Sequence, residues 1–222
     1  MQIKASVPGS VRIHTFPLGP LETNGYLVTD PSARRAVLID PADGGDALAD
    51  QADQNGWRLD AVFLTHGHGD HIGGVEALRR RTGAPVWIHP ADADMLTDAF
   101  LNLSALLGAG FTTGPADRSF EDGMEIPFGG AVIQVLHTPG HTPGSVCLLC
   151  GDALFSGDTL FRNSVGRTDF PGSSAGRLIE SIRQKLMPLP ADIRVFPGHG
   201  MATTIGHERE FNPFLNGAAG FP

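Results

Sequence analysis

Residues 64–74, LTHGHGDHIGG, place three histidines and one aspartate within six positions. Protonated imidazoles this close together would repel one another. Neutral imidazole and carboxylate groups, however, are common ligands of divalent transition metals, and a bound cation would hold the crowded side chains together. The segment therefore predicts a metal site, and a solvated polar turn is the less specific interpretation.

Ligand-type residues also follow three other apolar segments. AVFLT precedes the histidine cluster, AVIQVLHTPG precedes His141, ALFSG precedes Asp158, and IRVFPG precedes His199. Each apolar segment resembles a buried strand and ends in a turn of small residues. Because strand ends in a layered fold meet along one sheet edge, where sites form, we expect these residues to converge.

The spacing within the cluster distributes its members over two ions. Residues i and i+2 of an extended segment point to the same side, so His66 and His68 can hold one ion together. Asp70 and His71 lie where the chain turns toward a helix, and they could hold a second ion alongside the first.

Three further residues complete the predicted site. His141 and His199 would each add one nitrogen to one of the ions, and Asp158 could bridge both. Two ions roughly 3.5–4 Å apart lower the pKa of bound water toward about 7, which makes a metal-bridging hydroxide available at neutral pH. We expect two divalent ions, zinc in the first place, with iron or manganese as alternatives because no thiolate contributes.

The elements that must position these residues are short strands with interspersed helices. Apolar runs predict strands over 11–16, 25–29, 36–40, 61–65, 85–89, 124–128, 131–137, 145–150, 153–157 and 193–197. Helical spacing predicts helices over 45–56, 72–83, 90–100 and 175–187. This alternation favours a layered α/β structure over a helical bundle.

The leucine-rich stretch 100–118 shows neither helical nor strand periodicity. It could be a packed connection, which is the favoured interpretation, or a loop over a site.

The composition limits the possible classes of protein. With 222 residues, 41% of them hydrophobic, the chain suits one domain with a substantial core. A formal charge of −8 argues against binding nucleic acid through a basic face. No apolar run approaches the roughly 20 residues that span a bilayer, and the first residues lack the apolar core of a signal peptide. We therefore expect a cytoplasmic protein with no membrane partner.

The two cysteines have the spacing of a redox pair, but their context differs. Cys147 and Cys150 lie inside an apolar, strand-like run rather than at the start of a helix. Positions i and i+3 of a strand point to opposite faces, so we expect two small core residues and no redox function.

Four histidines lie outside the ligand pattern. We expect His14, His89 and His207 to be structural or exposed, whereas His137 could support a metal ligand without contacting the metal.

Motif order then indicates a family. THGHGDH, followed by the histidine of TPGHTPG, the aspartate of SGDTLF and the histidine of PGHG, resembles the metallo-β-lactamase fold, and most of all its glyoxalase II group, the hydroxyacylglutathione hydrolases. SVGRTDFPG and TTIGHEREFNPFL resemble a short bacterial branch often called YcbL-type. The resemblance covers nearly the whole chain and implies a four-layer αββα sandwich, with two mixed β-sheets flanked by helices and the metals at one edge of the two facing sheets.

The resemblance also assigns roles. Metal one would be held by His66, His68 and His141, metal two by Asp70, His71 and His199, with Asp158 as the bridge. Asp40 occupies the position of a supporting partner for the histidine loop, although a strand-end cap is as good an interpretation. A thioester substrate fits such a site, with Asp70 or Asp158 orienting the bridging hydroxide. A thiolate with a pKa near roughly 8.5 leaves without a dedicated general acid.

Departures from the long glyoxalase II enzymes concern the thiol carrier. We expect residues 1–222 to form one domain without the C-terminal helical domain that holds glutathione. The family's basic residue after the bridging aspartate falls on Arg167, which could bind a carboxylate, while a nearby aromatic position reads Asp169. The expected partner is a small-molecule thioester, with glutathione as one candidate carrier. Both a monomer and a homodimer remain open.

Three alternative interpretations compete with thioester hydrolysis. An iron-dependent persulfide dioxygenase on the same fold would need only His66, His141 and Asp158 as ligands. A lactonase or β-lactamase is weaker, because the best-known zinc β-lactamases carry cysteine where Asp158 stands. A non-catalytic metal-binding scaffold is disfavoured because all seven ligand-type residues are present.

Overall fold

The first half of the chain builds a six-stranded sheet in the computed structural model, which describes residues 11–217. Its strands lie side by side in chain order: β1 (Arg12–Leu18), β2 (Thr23–Asp30), β3 (Arg35–Ile39), β4 (Arg58–Phe63), β5 (Val86–Ile88) and β6 (Arg118–Ser119). The β1–β2 and β2–β3 pairs are antiparallel and the remaining pairs are parallel. The sheet is therefore mixed, and the helix of each parallel connection must cover one face.

The second half of the chain builds another mixed sheet of six strands. Its strands are β7 (Glu125–Phe128), β8 (Ala131–His137), β9 (Val146–Cys150), β10 (Ala153–Gly157), β13 (Arg194–Pro197) and β14 (Thr203–Thr204), in the order β14-β13-β10-β9-β8-β7. Two short strands, β11 (Leu160–Phe161) and β12 (Ser164–Val165), form a separate hairpin. Because β9 is antiparallel to both β8 and β10, and β10 is parallel to β13, strands β8, β10 and β13 all run in one direction.

Alternating side chains hold the two sheets face to face. In β2, Tyr26 and Val28 point into a core shared with Val135 and Phe155 of the second sheet. Leu27, between them, points to the opposite face and packs under the helices. This period of two places one apolar layer between the sheets and one on each outer face. The result is the four-layer αββα sandwich that the sequence predicts.

Helices cover both outer faces. They are α1 (Ala47–Gln54), α2 (Gly69–Ile72), α3 (Val75–Thr82), α4 (Ser104–Leu107), α5 (Ala175–Ser181) and α6 (Ile205–Phe211), with a 3-10 helix over Pro90–Leu96 and a π-helical turn over Ile182–Leu186 after α5. Leu48 of α1 and Leu78 of α3 pack on the first sheet. Leu178 and Ile179 of α5 pack on the second. Within the described residues, no helix is long and apolar enough to span a bilayer.

The structure divides one predicted helix. The expected helix over 72–83 begins only at Val75, because the N–H of Gly74 bonds to the carbonyl of Pro41 (2.7 Å) instead of a helical carbonyl. A Cβ at Gly74 would lie only 2.7 Å from the carbonyl oxygen of Ala42, so only glycine permits this approach. At the other end of α3, Gly83 adopts the left-handed conformation (φ 66°) of a C-terminal cap.

Both cysteines are buried, free and on opposite faces of β9. Cys147 packs among the residues under α5, whereas Cys150 packs between the two sheets. Burial raises the pKa of each thiol to about 11, which keeps both protonated at neutral pH. The structure therefore confirms the prediction that Cys147 and Cys150 are small core residues on opposite faces of the strand.

Candidate metal centre

The candidate ligands converge where the two sheets share an edge. The loop after β4 carries His66 and His68 from the first sheet, and α2 carries Asp70 and His71. The other three ligands, His141, Asp158 and His199, follow β8, β10 and β13 of the second sheet. The edge is thus shared by two sheets, as the family resemblance implies, and is not the edge of one sheet. Because β8, β10 and β13 run in one direction, their carboxyl ends meet there.

Ligand atoms form three overlapping groups. Within each group, one ligand atom per residue lies within 4.8 Å of the others; the groups are His66–His68–His141, Asp70–His71–His199 and His66–His71–Asp158. The first two coincide with the two predicted triads. The third arises because the rings of His66 and His71 lie only 4.1 Å apart between centroids, so the two triads are direct neighbours.

Asp158 lies between the two triads. Its Oδ1 is 3.3 Å from Nε2 of His71, and its Oδ2 is 3.6 Å from Nε2 of His141 and 3.7 Å from Nε2 of His199. One carboxylate thus faces members of both triads. The position requires Gly198, because a Cβ there would collide with Oδ1 of Asp158 and with Cε1 of His71.

The donor set fits divalent cations. Within residues 11–217, Nε2 of His66, Nε2 of His71 and Oδ1 of Asp158 are buried and have no hydrogen-bond partner, although buried polar atoms are normally paired. All three atoms point into the shared space of the triads. Buried carboxylates also need a positive partner, since an isolated buried charge is costly. Metal ions held by imidazole and carboxylate would meet both requirements.

Protonation in the site agrees with ligand roles. Burial and the neighbouring imidazoles lower the pKa of His66 well below its usual value, and burial with His141 lowers that of His68 to about 3, so both rings are neutral. Burial opposes the charge of His71, but the carboxylates of Asp70, Asp158 and Asp40 together raise its pKa. The same acids would attract a cation, which would bind the neutral ring of His71 in place of a proton.

The rear nitrogens of the histidines are fixed by hydrogen bonds. Nδ1 of His141 bonds to the carbonyl of Arg167 (2.8 Å), Nδ1 of His199 to the carbonyl of Leu21 (3.2 Å), and Nδ1 of His71 to Oδ2 of Asp40 (3.0 Å). Such partners set the tautomer that leaves Nε2 free for a ligand role. Ring orientation is thus established by the protein itself.

Asp40 supports the histidine loop from a strained position. Besides His71, it accepts hydrogen bonds from the backbone N–H (2.8 Å) and the hydroxyl (2.6 Å) of Thr65. Its φ of 48° is left-handed, which non-glycine residues rarely adopt and which clusters at functional sites. The structure thus places Asp40 as a partner of the loop, in addition to ending β3.

Replacing Asp40 with alanine is expected to lower zinc affinity by about 10- to 100-fold, the usual effect of losing a partner behind a metal-binding histidine. Nδ1 of His71 would lose its acceptor, and the ring would lose its fixed orientation. Competition with a chromophoric chelator measures the affinity. Asp192→Ala, at an exposed position, is the matched control. Equal affinity for both variants would contradict this role.

Several positioning residues carry no signal in the sequence. Asp92 is fully buried and joins the histidine loop to the loop before β9, because it accepts hydrogen bonds from Gly67, Thr142 and Gly144. Asn24 donates to the carbonyls of Pro197 and Gly200 and so holds the loop of His199 against β2. Short polar residues without a ligand-like spacing could not have been singled out.

Thr23 and His199 contact the carboxylate of Asp70 directly. The hydroxyl of Thr23 donates to Oδ2 of Asp70 (3.0 Å), and Nε2 of His199 lies 3.1 Å from the same oxygen. Burial raises the pKa of Asp70, but His71, His199 and Thr23 outweigh it and hold the pKa below its usual range. Asp70 is therefore ionised at neutral pH and can bind a cation or accept a hydrogen bond.

Histidines outside the ligand set behave differently. His207 bonds to the side chain of Asn163 (2.8 Å), and His14 packs near Trp57. His89 and His137 stack almost in parallel, with ring centroids 3.9 Å apart and planes at 10°. Nε2 of His137 bonds to the carbonyl of Pro143, two residues after His141, so this ring supports the loop of a ligand.

His89 should make stability depend on pH in the acidic range. Burial and the stacked ring lower its pKa to about 4, against about 6.5 when unfolded. A depressed pKa means that its contribution is complete above pH 6.5 and is lost as pH falls toward 4. His89→Asn, which can still accept from Ala91, should therefore show a smaller drop in urea midpoint between pH 7 and pH 5 than the parent chain, both in chelator. Parallel drops would refute the assignment.

Arg167 lies at the mouth of the first triad. Its guanidinium makes two 2.7 Å bonds to Asp169 and stacks 4.1 Å over the ring of Phe170, which in turn contacts His68. The side chain is exposed, so a carboxylate of a ligand could replace Asp169. When no ligand is bound, the carboxylate of Asp169 balances the charge of the Arg167 guanidinium.

Comparison with known proteins gives a consistent family. The model of the metallo-beta-lactamase superfamily matches residues 18–199. "Probable metallo-hydrolase YqgX" of Bacillus subtilis is 38% identical over 91% of this chain and 96% of its own length. "Hydroxyacylglutathione hydrolase GloC" of Haemophilus influenzae is 34% identical over 93% of this chain and 99% of its own.

Solved structures agree with the fold. BLEG-1, described as a B3 metallo-beta-lactamase, superposes with a TM-score of 0.88 at 40% identity and covers 93% of this chain and 100% of its own. TTHA1623, crystallised in a di-iron-bound form, gives a TM-score of 0.81 at 41% identity over 91% and 100%. ETHE1 from Myxococcus xanthus gives 0.77 at 33% identity over 92% and 85%.

Proposed function

The chain belongs to the metallo-β-lactamase superfamily, and we propose that within it the protein hydrolyses thioesters of the S-lactoylglutathione type. The family and the ligand set indicate a metal-dependent hydrolase. The chemistry of the site and a hydroxyacylglutathione hydrolase among the relatives support a thioester as the substrate. The proposed reaction requires a small-molecule thioester as its only partner.

One observation carries the proposal: a single carboxylate, Asp158, faces members of both triads. A binuclear centre of this kind suits hydrolysis at an acyl carbon. His66, His68 and His141 would hold one cation, and Asp70, His71 and His199 the other. When bound, the cations supply Lewis acidity and a water that loses its proton near neutral pH.

The chain's own residues then orient the reaction. The carboxylates of Asp70 and Asp158 are 20% and 12% exposed, so both reach the solvent-accessible face of the site. They can accept hydrogen bonds from the attacking water and so direct its lone pair toward the thioester carbonyl. A thiolate, with a pKa near about 8.5, leaves without a protein acid. Arg167 is our candidate for binding a carboxylate of the thiol carrier, in exchange for Asp169.

Two alternatives within the fold have support from relatives. An iron-dependent persulfide dioxygenase is the first alternative, because TTHA1623, at 41% identity, was crystallised in a di-iron-bound form. β-Lactam hydrolysis is the second, because BLEG-1, at 40% identity, is described as a B3 metallo-beta-lactamase. All seven ligand-type side chains would serve β-lactam hydrolysis, whereas the dioxygenase would use only His66, His141 and Asp158 as ligands, so the substrate must be tested directly.

The test compares substrates on one preparation. Purified chain is loaded with zinc or with iron and assayed with S-D-lactoylglutathione, with nitrocefin, and with glutathione persulfide while oxygen is monitored. We expect thioester turnover to exceed both other activities by at least about tenfold. Thioester turnover absent from fully metallated protein would sink the proposal. Oxygen consumption with iron, or nitrocefin hydrolysis with zinc, would then assign one of the alternatives.

A further inference from the structure

A cavity of about 480 Å³ opens beside Asp70. Its walls include the β1–β2 turn with Leu18 and Leu21, the start of α2, and the segment 108–113, with Asp43 and Glu76 from neighbouring parts of the chain. Thr23, which donates to Asp70, lines it as well. The cavity is therefore continuous with the carboxylate that we place in the reaction.

Hydrogen bonds fix the outer wall relative to Asp70. The carbonyl of Asn102 accepts from the N–H of Gly69 (2.7 Å), and the amide of Asn102 donates to the carbonyl of Phe111 (3.0 Å). The hydroxyl of Ser104 accepts from the N–H of Phe111 (2.9 Å). The leucine-rich stretch is thus tied to the histidine loop by polar contacts and forms a wall of the cavity, while Phe100, Leu101 and Leu106 are exposed rather than packed in a core.

The charges of the lining residues limit which ligands the cavity can bind. Three acids, Asp43, Asp70 and Glu76, line it, and no lysine, arginine or histidine does so among the described residues. Glu76 pairs with Arg80 (3.2 Å), and the charge of Asp70 would be offset by the cation it holds. Repulsion of an anionic group therefore comes mainly from Asp43. The cation next to the site, Arg167, belongs to the loop behind His141 and is not among the lining residues. The two carboxylates of a glutathione moiety therefore fit the Arg167 side, and the acyl group fits the cavity.

Size adds a second constraint. A cavity of about 480 Å³ lies in the range of roughly 300–1,000 Å³ that holds drug-sized ligands. A three-carbon lactoyl group would fill only a small part of it. Leu18, Leu21 and Phe111 offer apolar contact to a longer chain.

We propose that this cavity is the acyl subsite, and that the chain prefers thioesters with a bulky, uncharged acyl group over lactoyl and over acyl groups that carry a carboxylate. This inference rests on the proposed function. Each methylene buried in the cavity should raise kcat/KM by about two- to fourfold. An acyl carboxylate should reduce kcat/KM by about tenfold or more relative to the uncharged chain of equal length.

The experiment keeps the thiol carrier constant. S-lactoyl-, S-2-hydroxybutanoyl- and S-2-hydroxyhexanoylglutathione test size, and S-butanoyl- against S-succinylglutathione tests charge. Ala109→Trp fills the cavity from an exposed position, with Ala33→Trp as its distant control. Asp43→Asn removes one wall charge without a change of shape. Binding of S-hexyl- and S-methylglutathione by calorimetry gives a readout that does not need turnover.

The rate should rise along the acyl series, Ala109→Trp should abolish the rise, and Asp43→Asn should raise the S-succinyl rate selectively. S-hexylglutathione should bind more tightly than S-methylglutathione in the parent chain but not in Ala109→Trp. A flat series, equal rates for the S-succinyl and S-butanoyl substrates, or an Ala109→Trp variant that behaves like Ala33→Trp would overturn this inference alone. No turnover of any thioester would overturn the proposed function and this inference with it.

Discussion

Replacing Asp158 with asparagine is expected to lower kcat/KM for the thioester by at least about a hundredfold and to release much of the bound metal. The carboxylate faces His71 on one side and His141 and His199 on the other, so its charge serves both triads. Asparagine keeps the volume but offers one neutral oxygen in place of two anionic ones. Loss of an outer partner of a ligand already costs about 10–100-fold, and a residue at the centre should cost no less.

The measurement pairs metal content by mass spectrometry with steady-state kinetics. Asp152→Asn, on the turn between β9 and β10, is the control, because its exposed carboxylate pairs with Arg194 at the surface, away from the triads. A thermal melt in chelator shows that the variant is folded. Full metal content and undiminished turnover in Asp158→Asn would remove the bridging role from our account of the site.

Replacing Asp92 with alanine should cost about 2–4 kcal/mol of the free energy of unfolding. The carboxylate accepts bonds of 2.6 Å from both Thr142 and Gly144 and one of 3.2 Å from Gly67, and none of these donors has water as an easy substitute in the interior. Each buried donor left unsatisfied costs about 1–3 kcal/mol. Relief of the carboxylate's own burial, which raises its pKa, offsets part of that sum.

Urea denaturation of the metal-free chains gives the comparison. Asp94→Ala, an exposed aspartate of the same 3-10 helix, should change the midpoint little. Asp92→Asn should fall between the two, because it keeps one acceptor oxygen. Since the bonded loops carry His66, His68 and His141, Asp92→Ala should also weaken the first triad's hold on metal. A midpoint equal to that of Asp94→Ala would show that the three bonds contribute nothing net.

Much of the fold could be predicted because its signals are local. The apolar run before the histidine cluster, the β-rich run of β2, and Gly83 at the end of α3 each act within a few residues. The ligand set was equally accessible, since rare residue types recur directly after apolar strands. The same locality explains the prediction for Cys147 and Cys150, whose opposite faces follow from the period of a strand.

By itself, therefore, the sequence determined the layered α/β class, the strand ends that carry ligands, and which side chains can bind a cation. Only the tertiary structure decided how these side chains are held. Asp92 accepts a hydrogen bond from Thr142, 50 positions away, and Asn24 donates to the carbonyl of Pro197, 173 positions away. The cavity wall is joined to the start of α2 by the hydrogen bond from the N–H of Gly69 to the carbonyl of Asn102. Periodicity reports only which face of an element is buried. A hydrogen bond between distant segments depends on where packing brings them, and no local spacing encodes that meeting.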